Sequence, residues 1–192
     1  MTSKEEAPIK PFADQQKWRR WLEKNHARSA GVFLRIFKKY SGKKTVTHAE
    51  ALDAALCFGW IDGVRKSFDE ESFLQKFTPR QKRSIWSKRN QEHVARLIEE
   101  GRMTAAGVAE IERAKRDGRW DAAYDSPKNM EVPADFLKEL KKNKKAYEFF
   151  QTLNKTNKFG IAFRLHTAKK PATRQRRMNT FLEMMAKGEK LL

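Results

Sequence analysis

Thr47-His48-Ala49-Glu50-Ala51-Leu52-Asp53-Ala54-Ala55-Leu56-Cys57-Phe58-Gly59-Trp60-Ile61-Asp62-Gly63 decides how this chain folds, because a helix must stop inside it. Thr47 and Glu50 form a capping box: the hydroxyl accepts from an exposed amide of the first turn, and the carboxylate reaches back to the Thr47 amide. A helix therefore begins at His48, with Ala51, Leu52, Ala55 and Leu56 on one face. Gly59 supplies a left-handed stop, and Asp62-Gly63 has the chemistry of a turn.

Upstream, Trp18, Trp21, Leu22 and Asn25 recur at helical spacing, which predicts a helix from Asp14 to His26. Val32-Phe33-Leu34-Arg35-Ile36-Phe37 is β-branched and aromatic on both faces and predicts a covered strand, followed by a turn at Ser41 to Lys44. Downstream, Val64 to Phe68 and Ser72 to Phe77 flank the polar tip Asp69-Glu70-Glu71, as a hairpin would. Thr78-Pro79-Arg80-Gln81 offers a cap with proline in the first turn, ahead of a helix from Ile85 to Glu100 carrying Trp86, Asn90, Val94, Leu97 and Ile98 inward and ending at Gly101. Thr104 caps another, with Val108, Ile111 and Ala114 inward and Gly118 as its stop.

Asp125 to Val132 is polar, broken by Pro127 and followed by Pro133, which can open a helix. Beyond it the apolar stripes are helical throughout: Phe136, Leu137 and Leu140; Ala146, Phe149, Phe150 and Leu153; Ile161, Leu165 and Ala168; Met178, Phe181, Leu182 and Met185. The expected architecture is α+β and mostly helical. It has a small antiparallel sheet within a domain spanning 1–124, a linker at 125–132, and an all-helical basic subdomain at 133–192.

Cys57 is the single cysteine of the 192 residues, so no intramolecular disulfide forms, which suits a reducing compartment and predicts a cytoplasmic protein. Met1 to Pro11 lacks the apolar segment of a secretory signal, and no run of about 18 apolar residues exists for a membrane span. The formal charge is +18. Residues 133–192 hold 15 lysines and arginines against 5 aspartates and glutamates, a net +10, leaving +8 for the longer stretch before them. Such a field attracts phosphate backbones, anionic lipid or acidic protein surfaces.

Trp60 beside Asp62, and Trp86 one predicted helical turn before Asn90, each set an apolar plate next to a hydrogen-bonding group. With Asp69, Arg80 and Ser84 they form a candidate binding site for a small polar or aromatic ligand, and equally a packed seam with satisfied polar groups. Asp62 or Asp69 facing Arg80 would be a salt bridge, or an acid and an anion clamp. Asn90 on an apolar stripe needs partners, since an unsatisfied buried carboxamide costs about 1 to 3 kcal/mol. His48 lies nine residues before Cys57 in one predicted helix, on a poorly matched face, which favours a buried inert thiol. His26, His48, His93 and His166 lack ligand spacing, so no metal or cofactor is expected. Lys169, Lys170, Arg174, Arg176 and Arg177 gather near a predicted helix start, as a candidate anion or nucleic-acid site or as a solvated face.

Trp21-Leu22-Glu23-Lys24-Asn25-His26, Ala51 through Gly63, Phe77-Thr78-Pro79-Arg80, Ser84 through Asn90, Gly101-Arg102-Met103, Ala114 through Trp120, and Thr173-Arg174-Gln175-Arg176-Arg177 carry a resemblance when taken together and in this order. On them the chain resembles the YdeI/OmpD-associated proteins, the bacteriocin-protection family of bacteria. The resemblance implies protection against bacteriocins or cationic antimicrobial peptides and association with an outer-membrane porin, and it assigns no catalytic residue. Without an export signal, the porin's location is not carried over. The expectation is a cytoplasmic stress or resistance protein, more a binder of a small ligand or protein partner than an enzyme. Nonspecific nucleic-acid binding through the basic C-terminal helices is the alternative. An enzyme using Asp62 or Asp69 with Arg80 is a third possibility.

Overall fold

A computed structural model describes residues 7–126 and 129–191. Two compact units divide the chain: the residues up to Trp86 with Asn90–Ala122, and Ser87–Arg89 with the residues from Ala123 on. Of the expected linker, Pro127 and Lys128 lie outside the described residues.

The first unit contains β1 (Ile9–Pro11), α1 (Gln15–Asn25), β2 (Val32–Phe37), α2 (His48–Cys57), β3 (Trp60–Ser67), β4 (Ser72–Pro79), most of α3 (Lys88–Glu99) and α4 (Ala105–Arg116). Asp14 caps α1 by accepting from the Lys17 amide at 2.8 Å, and the Thr47/Glu50 capping box opens α2. The sheet order is β1-β2-β4-β3. Its three longer strands are antiparallel, but β1 runs parallel to β2, with Ile9 opposite Phe33, so the sheet is mixed. Three residues are too few to show a period of two, and β1 has no signal in the sequence.

Two expectations fail in the hairpin region. Asp62-Gly63 is not a turn but part of β3, which begins directly after Gly59. Asp62 pairs with Phe77 and Arg65 with Gln75, so Gly63 and Val64 stand opposite Lys76 alone in a β-bulge. Gln75 Nε2 donates to the Gly63 carbonyl at 2.9 Å across it. Pro79 does not open a helix either, because Thr78 and Pro79 extend β4 opposite Ile61 and Trp60. Helix α3 starts only at Lys88, leaving Ile85, Trp86 and Ser87 ahead of it.

Core packing sets the exposed faces of α3 and α4. Val94 and Leu97 of α3 are buried, whereas Ile98 is 53% exposed. On α4 the buried residues are Gly107, Glu110, Ile111 and Ala114, and Val108 is left out. The cause is Gly107: a Cβ there would stand 2.3 Å from the Cys57 carbonyl oxygen, so α4 meets the end of α2 at backbone contact. Thr104, which caps α4, donates to the same carbonyl through its amide at 3.1 Å and its hydroxyl at 2.6 Å.

The second unit is helical, with α5 (Ala134–Leu140), α6 (Lys144–Thr152), α7 (Lys155–His166) and α8 (Pro171–Lys187). Its core is Phe136, Leu140, Ala146, Phe150, Leu153, Ile161, Leu165, Met178, Phe181 and Met185, with Leu137, Phe149 and Leu182 half-buried around them; these are the stripes read from the sequence except for Ala168, which lies beyond the end of α7 and is half-buried. Asn143 and Asn154 cap α6 and α7. Arg174 on α8 grips Asp135 on α5 with two bonds of 2.6 and 2.9 Å, and that hydrogen bonding holds the Asp135 carboxyl below its ordinary value although partial desolvation opposes it.

Two tests follow from this packing. Gly107→Ala should destabilise the first unit by about 3 kcal/mol, since backbone on the opposing side cannot yield. Gly101→Ala, with φ +64 but open space around it, should cost about 1 to 2 kcal/mol of conformational strain. Denaturant midpoints of the two variants measure the difference. For Asp135, whose folded pKa is depressed, the stabilisation is present above the unfolded value of about 3.9 and is lost as pH falls through the folded one. Asp135→Asn should therefore lower stability near neutrality and flatten the acid limb of a stability-against-pH curve, as read by chemical denaturation.

Candidate functional site

Trp60 and Trp86, expected to border one hollow, belong to different aromatic clusters. Trp60 is 1% exposed and packs edge-on against Trp18 and Trp21, with centroids at 6.3 and 5.9 Å; its indole N–H donates to the His26 carbonyl at 3.2 Å. Trp18 also meets Phe77 and donates to the Ala51 carbonyl at 3.0 Å. This cluster joins α1 and α2 to the sheet, and the indole donors of Trp18 and Trp60 are satisfied.

The acids sit elsewhere, and neither forms an ion pair with Arg80. Asp62 shares a 3.1 Å hydrogen bond with His48 Nε2. Asp69, at the hairpin tip, accepts from the Ser72 hydroxyl at 2.6 Å and from Arg35 at 2.7 Å. The Ser72 bond first, and then Arg35, hold its carboxyl below the ordinary value. Asp69 is thus a turn-forming acid, a role that its distance in sequence from Arg35 conceals.

Arg80, Ser84 and Trp86 do come together. The Arg80 guanidinium lies over the Trp86 ring at 3.5 Å and donates to the Ile85 carbonyl at 3.2 Å. Arg80 is 5% exposed and Trp86 2%. Trp120 tilts against Trp86 at 4.9 Å. Arg119, also 5% exposed, donates from Nη1 to the Ser84 carbonyl at 3.0 Å and to Glu110 at 3.4 Å, while its Nε reaches both oxygens of Asp117 at 2.8 and 2.9 Å. Desolvation works against the Asp117 charge, yet the Arg119 bond keeps its carboxyl below the usual value. Arg113 pairs with the buried Glu110 at 2.5 Å and donates to the Arg80 carbonyl at 3.3 Å. Sequence reasoning missed Glu110, Arg113 and Arg119. A signal existed in Glu110, a charge one position before Ile111 on the inward face.

Asn90 lies half-buried in the first turn of α3 and has interactions of its own. Asp53, on α2, takes His93 at 2.8 Å and Arg96 at 2.6 Å, tying α3 to α2. Burial pushes the Cys57 thiol up, against a hydrogen bond from Arg19. Among the described residues no group of three or more His, Cys, Asp or Glu is placed to hold a metal ion, and no helix is long and apolar enough to cross a membrane.

In the second unit Lys169, Lys170 and Arg176 are exposed at the start of α8. Arg174 is engaged by Asp135, and Arg177 donates to the Arg164 carbonyl at 2.6 Å, so two of the three clustered guanidiniums are used within the fold.

Comparison with known proteins resolves the resemblance into two parts. Residues 10–110 match a family model described as a domain of unknown function, DUF8412. Residues 129–188 match the family described as bacteriocin-protection, YdeI or OmpD-associated. Of the stretches carrying the resemblance, Thr173 to Arg177 falls in the second match, and those from Trp21 to Met103 fall in the first. Searches of curated proteins and of solved structures gave no match. Through residues 10–110, more than half its length, the chain belongs to the DUF8412 family of unknown function, while residues 129–188 are similar to the bacteriocin-protection, YdeI or OmpD-associated family.

Proposed function

We propose that this chain serves bacteriocin protection as a cytoplasmic binding protein rather than an enzyme, and that its second unit binds nucleic acid without sequence preference. The carrying observation is the uncompensated charge of residues 133–192, a net +10. Of their five acids, Asp135, Glu139 and Glu148 already face Arg174, Lys142 and Lys144. Lys138, Lys141, Lys145, Lys155, Lys169, Lys170, Arg176, Lys187 and Lys190 are exposed and form no ion pair among the described residues. Mobile ammonium groups on a rigid helical core suit phosphate neutralisation, which needs charge density and no fixed geometry.

Affinity for a duplex oligonucleotide, followed by fluorescence anisotropy, should fall linearly on logarithmic axes as salt rises, on any sequence. Replacing Lys169, Lys170 and Arg176 together by glutamine should reduce the slope by about 2 to 3. Arg174→Gln should change it little, because that charge is already paired with Asp135. Absent binding at low salt, or binding indifferent to salt, would overturn the reading.

A further inference from the structure

We infer that the corner formed by Arg80, Trp86 and Arg119 is a binding site for a small oxyanion, a carboxylate or phosphate group. Trp86 Nε1 and Arg119 Nη2 are shielded from solvent and have no acceptor, on side chains 98% and 95% buried. Nε of the neighbouring Arg113 is in the same state. Native proteins leave few such donors unmet, and a guanidinium donor without an acceptor is among the costliest.

The charges point the same way. Arg80, Arg113 and Arg119 bring three positive groups to the Ser84 to Trp86 segment and the backbone next to it, and among the described residues Glu110 and Asp117 face Arg113 and Arg119. Nη2 of Arg119 and the indole N–H of Trp86 are the donors that suit the oxygens of a flat or tetrahedral anion. The Arg80 stack on Trp86 holds the neighbouring cation in place. Gln81, Lys82, Arg83 and Ile85 on the solvent side are exposed, so the cover over the corner is one loop thick. The site lies in the first unit and is independent of nucleic-acid binding by the second.

The test uses the full chain in an oxyanion-free buffer at constant ionic strength, titrated separately with inorganic phosphate and with acetate. Intrinsic tryptophan fluorescence and calorimetry are the readouts. Saturable one-to-one binding of at least one anion is expected. Trp86→Phe keeps an aromatic face beneath Arg80 but removes the N–H, and Arg119→Gln removes the guanidinium that carries Nη2; each should weaken binding about tenfold or more. Arg174→Gln, in the other unit, should not. Circular dichroism shows whether each variant is folded, and if Arg119→Gln is not, Trp86→Phe decides. No saturable change up to ~50 mM of either anion, or binding unaffected in a folded Trp86→Phe, would overturn the proposal.

Discussion

The carbonyl of Cys57 is the acceptor around which the first unit is assembled. It belongs to the last turn of α2, where helical carbonyls lack partners within the helix, and the amide and hydroxyl of Thr104 satisfy it from the start of α4. Gly107, one turn on, lets α4 pass that carbonyl at backbone contact. Gly59 completes the fit from the other side: with φ +72 it turns the chain into β3, and a Cβ there would come within 3.1 Å of the Ala106 carbonyl oxygen. Two missing methyl groups and one shared acceptor thus determine which face of α4 is buried.

That rotation has an electrostatic consequence. Turning Gly107, Ile111 and Ala114 inward also turns Glu110 inward, and a buried carboxylate requires cationic partners. Arg113 and Arg119 supply them, and through their contacts with the Arg80 and Ser84 carbonyls they hold the 80–86 loop. The candidate anion site is a by-product of how one helix docks.

The two units treat positive charge in opposite ways. The first buries guanidiniums, whose planar forks can be matched to carbonyls and carboxylates, while the second leaves lysines on its surface over a continuous apolar core. Where the second unit uses arginine inside the fold, at Arg174 and Arg177, the partner is again a carboxylate or a carbonyl.

Local rules were legible wherever a residue's role is settled by its own neighbours in sequence. The capping box at Thr47 and Glu50, the cap at Thr104, the strand at Val32 to Phe37, and the apolar stripes of the four C-terminal helices follow from periodicity and short-range hydrogen bonding. Strand pairing and burial could not be read this way, because each depends on a partner far along the chain. Asp62-Gly63 has turn composition yet serves as a bulge opposite Lys76, Pro79 has helix-start composition yet ends a strand beside Trp60, and Asp69 meets Arg35 instead of Arg80. Aromatic and polar residues clustered in sequence marked the Arg80 to Trp86 neighbourhood, but only the tertiary structure put the Trp60 ring into a different aromatic cluster and brought Arg119 in. Side chains meet according to the register of strands and the rotation of helices, and neither is encoded at any single position.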